Sequence, residues 1–160
     1  MHLRVLEERD NPHIETIIRT CLKEFGGDRE GLAWADPQLG RLSEVYQMEN
    51  SKYWVIEHDG KIVGGCGIGP VAEMDDVGEL QKMYCLPEAR GTGIAHELMV
   101  TALDFASKHY SKCYIETLSN MEAANQFYKK YGFVALDKPL GNTGHFSCDV
   151  WYLKTLTDIG

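Results

Sequence analysis

Arg90-Gly91-Thr92-Gly93-Ile94-Ala95 sets two glycines one residue apart, beside an arginine, just before a run of apolar residues at helical spacing. Glycines there admit backbone angles and close approaches that side chains block. Such a loop can turn successive N–H groups into a concavity, and the mouth of the following helix adds roughly half a positive charge. The chemistry is recognition of an anion such as a diphosphate, with Arg90 either at the rim or paired outward. Two common versions are absent. There is no G-x-x-x-x-G-K-[ST] run, and His96 stands where the third glycine of G-x-G-x-x-G would be. His96-Glu97 likewise lacks the second histidine of H-E-x-x-H, and the six histidines form no metal motif. The five cysteines (Cys21, Cys66, Cys85, Cys113 and Cys148) are odd in number and scattered, without a C-x-x-C pair. Neither a disulfide framework nor a zinc site is indicated, and no metal is expected.

The elements around this loop must position it. A strand over about Gly78 to Cys85 leads in. A helix from Ile94 to about His109 leads out, with Ile94, Ala95, Leu98, Met99, Ala102, Leu103, Phe105 and Ala106 on one broad face. Upstream, His2 to Leu6 reads as a strand. Asn11 and Pro12 read as the cap and first position of a helix carrying Ile14, Ile17, Ile18, Cys21, Leu22 and Phe25, ended by Gly26 and Gly27. Asp28 to Leu42 is turn-rich and precedes a short helix in SEVYQM. Strands Tyr53 to Glu57 and Lys61 to Gly67 flank His58-Asp59-Gly60 as a hairpin. An acidic loop follows at Ala72 to Asp76. Downstream come a strand over Cys113 to Leu118, a helix over Glu122 to Tyr131 closed by Gly132, and strands near Val134 to Leu136 and Val150 to Leu156. This order predicts an α/β fold, a mixed sheet flanked by helices, in a single domain over residues 1–160.

The length, 160 residues, allows one sizeable core. A net charge of −8 disfavours nucleic acid and anionic membranes as partners. The charged N-terminus MHLRVLEERD shows no secretory signal, and no segment approaches the roughly 20 apolar residues of a membrane span. With its unpaired cysteines, the chain is expected in a reducing cytoplasm.

Two segments together resemble the GNAT superfamily of N-acetyltransferases. Arg90, Gly93 and Ala95 fit that family's loop of glutamine or arginine, two residues, glycine, one residue, then glycine or alanine. The lead-in Leu86-Pro87-Glu88-Ala89-Arg90-Gly91 is similar to the family's, and AANQFYKKYGF (Ala123 to Phe133) matches its helix ending in F-Y-x-K-x-G-F. The resemblance covers nearly the whole element order. It implies a V-splayed sheet and acetyl-CoA as cosubstrate, with the amides of Arg90, Gly91, Thr92, Gly93, Ile94 and Ala95 on its diphosphate. It also implies backbone groups of Met83, Tyr84 and Cys85 along the pantetheine arm, and the strand Cys113 to Leu118 as the other wall. Many relatives carry an asparagine seven residues before the tyrosine of the second segment. Here Met121 holds that place, leaving Asn120 and Asn125 as candidates for the pantetheine contact. A homodimer is compatible with the resemblance.

Acetyl transfer to an amine sets its own demands. An alkylamine with a pKa near 10 is neutral in about one molecule in a thousand at pH 7, equivalent to about 4 kcal/mol. A base must take its proton. Glu79, at the start of the central strand and similar in position to the residue many relatives use, is the first candidate, and Glu116 on the facing strand is the rival. An N–H near Met83 to Cys85 is the candidate for stabilising the developing oxyanion. The resemblance gives Tyr128 as the acid for the departing thiolate, and a protonated phenol suits that role. Cys85 as nucleophile would need an activated thiolate, so direct transfer is simpler. His145 can contact an acceptor or pack. Phe25, Trp34, Phe146 and Trp151 are candidates for an apolar wall, and Glu73, Asp75 and Asp76 would suit a cationic acceptor. The acceptor expected is a small molecule or peptide amine. The opposing reading is a non-catalytic acyl-CoA-binding module.

Overall fold

The computed structural model describes residues 1–141 and 143–156. Its strands are β1 (His2–Val5), β2 (Lys52–His58), β3 (Lys61–Val71), β4 (Met74–Cys85), β5 (Lys112–Thr117), β6 (Val134–Leu136) and β7 (Val150–Thr155). The helices are α1 (Asn11–Glu24), α2 (Leu42–Val45), α3 (Ile94–His109) and α4 (Glu122–Lys130). The strands form one mixed sheet in the order β1-β2-β3-β4-β5-β7-β6. Only β4 and β5 run parallel among the described pairs; the rest are antiparallel. Apolar residues of α1 (Ile14, Ile17, Ile18, Cys21, Leu22) close over one face with Tyr53 and Val55. The apolar stripe of α3 packs the other face with Trp54, Cys66, Leu80 and Ile115, and Tyr128 of α4 joins that layer. Among the described residues no helix is long and apolar enough to cross a membrane.

The sheet opens where the parallel strands part. β4 and β5 pair only from Val77 with Lys112 to Glu79 with Tyr114. Beyond that point β4 continues to Cys85 and β5 to Thr117 without pairing to each other, which is the V-shaped splay. A β-bulge accompanies the parting. Gly65 faces Tyr84 and Gly67 faces Gln81, so Lys82 and Met83 together oppose Cys66. Lys82 takes the left-handed conformation, with φ 49°, and the Tyr53 hydroxyl donates to its carbonyl at 2.7 Å. A bulge bends and twists its strand, and here it turns β4 away from β5.

Two expected local features differ. Asn11 is not the cap of α1 but its first residue, since a 3-10 turn over Glu8–Asp10 precedes it and Asp10 holds the cap position. The Asn11 amide instead pins the start of α2, donating to Ser43 Oγ at 2.8 Å and accepting from Ser43 N at 3.0 Å. The acidic loop also shrinks. β3 reaches Val71 and β4 begins at Met74, so Ala72-Glu73 is a tight hairpin turn and Asp75 and Asp76 lie in β4.

Candidate active site

Two chambers occupy the splay and meet along Met83, Tyr84, Met121 and Tyr128. The outer groove runs from that junction past Cys85 toward the α3 mouth and is lined by Arg90, Gly91, Ala95, Cys21, Phe25 and Phe127. The inner chamber runs the other way, toward Glu79, Glu116, His145 and Cys148, beneath Leu32 and Ala33.

The loop before α3 has the form its glycines foretell. Gly91 and Gly93 sit at φ 77° and 89°, and a Cβ added at either would meet no protein atom within 4 Å. The first-turn amides of α3 have no carbonyl one turn back to bond, and the cradle opens on empty space. An anionic group fits there. Thr92 turns its hydroxyl back onto the Ala89 carbonyl, and the Ile94 side chain is buried in the core, so these two offer only backbone to the cradle. Arg90 is pulled across the groove. It forms a bidentate pair with Glu24 of α1 at 2.7 and 2.8 Å, and its Nε donates to the Cys85 carbonyl at 3.1 Å.

Glu79 is a buried acid of the inner chamber, with 6% of its surface exposed. Burial raises its pKa from the ordinary 4.5 to about 7; the Gln81 hydrogen bond opposes the rise and the Glu116 charge adds to it. Glu116, across the chamber on β5, is occupied by protein. It accepts from the Tyr114 hydroxyl at 2.9 Å through one oxygen and from the Thr143 hydroxyl through the other. His145 lies between acids, with Nε2 3.0 Å from Asp36 and Nδ1 3.9 Å from Glu116. The Asp36 bond is the main cause of a raised His145 pKa. Lys82, from the bulge, pairs with the same Asp36 at 2.9 Å.

Tyr128 is buried, and its hydroxyl makes no hydrogen bond with any described residue. Burial lifts its pKa well above the ordinary value, so the phenol keeps its proton at neutral pH. The Cys85 thiol is likewise pushed up by burial, to about 11, which leaves little thiolate for a covalent route.

The structure therefore gathers Glu79, Met83, Tyr84, Cys85, Arg90, Gly91, Ala95 and Tyr128 around one continuous cleft. It does not bring Asn125 to it. The Asn125 amide donates to the Leu118 and Met121 carbonyls at 2.9 and 2.8 Å, and its oxygen accepts from the Tyr152 hydroxyl at 2.9 Å. That side chain ties α4 to the end of β5 and to β7. Asn120, exposed, donates to the Phe25 carbonyl at 2.8 Å. Of the expected apolar wall, Phe25 lines the groove, while Phe146 and Trp151 line a side opening beside Glu116. Trp34 lines neither chamber and lies under the Arg19 guanidinium at 4.7 Å. Sequence reasoning passed over Gln81, Lys82 and Asp36, although the glycine-rich β3 signals close packing beside β4.

Comparison with known proteins gives the same architecture. Residues 49–135 match the acetyltransferase (GNAT) domain. An uncharacterized N-acetyltransferase of Escherichia coli K12, YjgM, is 40% identical over 157 residues, covering 96% of this chain and 94% of the relative. A GNAT-family acetyltransferase from Staphylococcus aureus superposes with a TM-score of 0.83 at 18% identity, over 98% of this chain and 99% of the other. N-acetylglutamate synthase from Neisseria gonorrhoeae, solved with coenzyme A and N-acetyl-glutamate, gives 0.73 at 21% identity over 98% of this chain and 35% of that one. The chain belongs to the GNAT family of acetyltransferases.

Proposed function

We propose that this protein transfers the acetyl group of acetyl-CoA directly to the primary amine of a compact acceptor. Coenzyme A supplies the activated thioester. The open amides at Gly91 to Ala95 would hold its diphosphate, and the free edge of β4 at Met83 to Cys85 would align the arm and polarise the acyl oxygen. Glu79, anionic in about half the molecules at neutral pH, takes the proton of the attacking ammonium. Tyr128 donates its phenolic proton to the departing sulfur. One observation carries the reading: Glu79 and Tyr128, whose hydroxyl bonds to no described residue, line the same inner chamber, where the parallel strands part.

A compact acceptor is favoured over a peptide by the loop between β6 and β7. Ser147 N donates to the Gly31 carbonyl at 3.0 Å, Ser147 Oγ donates to the Glu30 carbonyl at 2.8 Å, and His145 joins Asp36. These bonds stitch that loop to the segment after α1 across the inner chamber, leaving little passage for a peptide chain. Glu79 and Glu116 line the chamber beside Lys82 and His145, and Asp36 pairs with both of those bases, which leaves the two acids to suit a cationic amine.

The test is thiol release from acetyl-CoA with a panel of small mono- and diamines, amino acids and peptide N-termini. Turnover with small amines and loss of it in Glu79→Gln are expected. Protection by acetyl-CoA without turnover on any amine would establish a binding module instead.

A further inference from the structure

The proposed base does not stand alone on β4. Two residues on, and therefore on the same face of the strand, Gln81 Nε2 donates to Glu79 Oε1 at 2.8 Å. The Tyr46 hydroxyl, at the end of α2, in turn donates to Gln81 Oε1 at 2.7 Å. This directional chain fixes the carboxamide. A reversed Gln81 would set its carbonyl against the Glu79 carboxylate, which has no proton to offer when ionised. One Glu79 oxygen is thus held by protein.

The glycines of β3 make room for the chain. Gly69 lies opposite Glu79 and Gly67 opposite Gln81. A Cβ at Gly69 would come within 2.8 Å of Gln81 Oε1, and one at Gly67 within 2.9 Å of the Tyr46 ring. Both glycines therefore meet, from the neighbouring strand, the two groups of the hydrogen-bonded chain.

We infer that Gln81, clamped by Tyr46 and seated in the gap left by Gly69, is a positioning residue that orients Glu79 and favours its ionised form. This rests on the reading of Glu79 as the base. The amide donor favours the carboxylate over the carboxylic acid. Other groups act on the same carboxyl: Glu116, Tyr114 and Cys113 from β5, His145 and Cys148 from the loop between β6 and β7, and Lys82 from β4. Among the described residues, Gln81 is the one whose side chain grips a Glu79 oxygen by a hydrogen bond.

The experiment follows the Glu79 side-chain carboxyl by NMR in protein labelled with carbon-13 glutamate, with its resonance identified by its loss in Glu79→Gln. Gln81→Met is expected to raise the titration midpoint by about one pH unit, the worth of one charge-assisted hydrogen bond. Tyr46→Phe, which removes one oxygen, and Gly69→Ala, which adds one methyl against Gln81, are expected to move it the same way by less. Any of the three serves if another fails to fold. With an accepted amine, the acid limb of turnover should follow the same order while the rate at high pH is retained. A purely structural Gln81 would lower the rate equally at every pH. Unmoved midpoints in the folded variants overturn the inference. Unchanged turnover and pH profile in Glu79→Gln would instead remove the base assignment, a separate outcome.

Discussion

Glu79 is costly to ionise, and that cost is measurable without knowing the acceptor. Replacing it with glutamine keeps the shape and leaves an amide oxygen to accept from Gln81, but removes the titrating proton. In the folded chain the Glu79 pKa is about 7 against an ordinary 4.5. At about 1.36 kcal/mol per pH unit, that gap is about 3 kcal/mol. The sign follows from proton binding. Between pH 4.5 and 7 the folded chain keeps a proton that the unfolded chain has released, so stability falls as pH rises through this window, and the loss is complete above it. The glutamine variant escapes the loss. Its advantage in folding free energy is expected to grow from under about 1 kcal/mol at pH 5 to about 3 kcal/mol at pH 8.5.

Urea unfolding of both proteins at pH 5, 6, 7 and 8.5 reads this directly, with linear extrapolation at each pH. His145, whose proton affinity is raised chiefly by Asp36, is present in both proteins, so the comparison largely cancels it. A stability difference that stays flat with pH would refute the claim that burial raises this carboxyl. A destabilised variant at pH 8.5 would do so more strongly. The expected result is a protein made sturdier by losing the proposed base, the trade between stability and activity that a desolvated catalytic carboxylate would imply.

Other perturbations separate the roles of the remaining residues. Tyr128→Phe should lower turnover by about a hundredfold with CoA affinity retained. Because the hydroxyl bonds to no described residue, unfolding free energy should change by less than about 1 kcal/mol; unchanged turnover would remove Tyr128 as the acid. Gly93→Val should cost about 1–2 kcal/mol of stability, since φ is 89° there, and should weaken CoA binding. A Cβ there has no other protein atom within 4 Å beyond its chain neighbours, so intact CoA affinity in calorimetry would mean the diphosphate lies elsewhere. Arg90→Ala should weaken CoA, whereas Glu24→Gln, which frees the guanidinium from its carboxylate partner, should tighten it; shifts of the same sign would show that Arg90 acts only as a strut between α1 and β4.

What could be read from the chain divides along physical lines. The turn before α3 was legible because its glycines are required by backbone angles that appear as such in the structure. The helices α1 and α3 were legible because their apolar faces repeat at one period and pack against the sheet. The Asn125 side chain was less legible, because helical spacing gives its neighbour Tyr128 but not the direction of an amide drawn to the Leu118 and Met121 carbonyls. Asn11 misled for a similar reason, since its amide found Ser43, 32 residues away, rather than the helix it begins. The inner chamber was least legible of all. It depends on Lys82 adopting a left-handed turn within a strand, and no glycine marks that position. The turn is fixed from outside, by the Tyr53 hydroxyl on the Lys82 carbonyl and by Asp36 on the Lys82 ammonium. Those partners come from β2 and from the segment after α1, so the bulge forms only when three distant stretches meet. The splay, the chamber and the raised carboxyl are therefore consequences of tertiary contacts, which periodicity along the chain does not record. A single substitution tests that dependence: Tyr53→Phe removes the hydroxyl on the bulge yet leaves the ring, and it should disturb the Glu79 titration from a strand that does not touch Glu79.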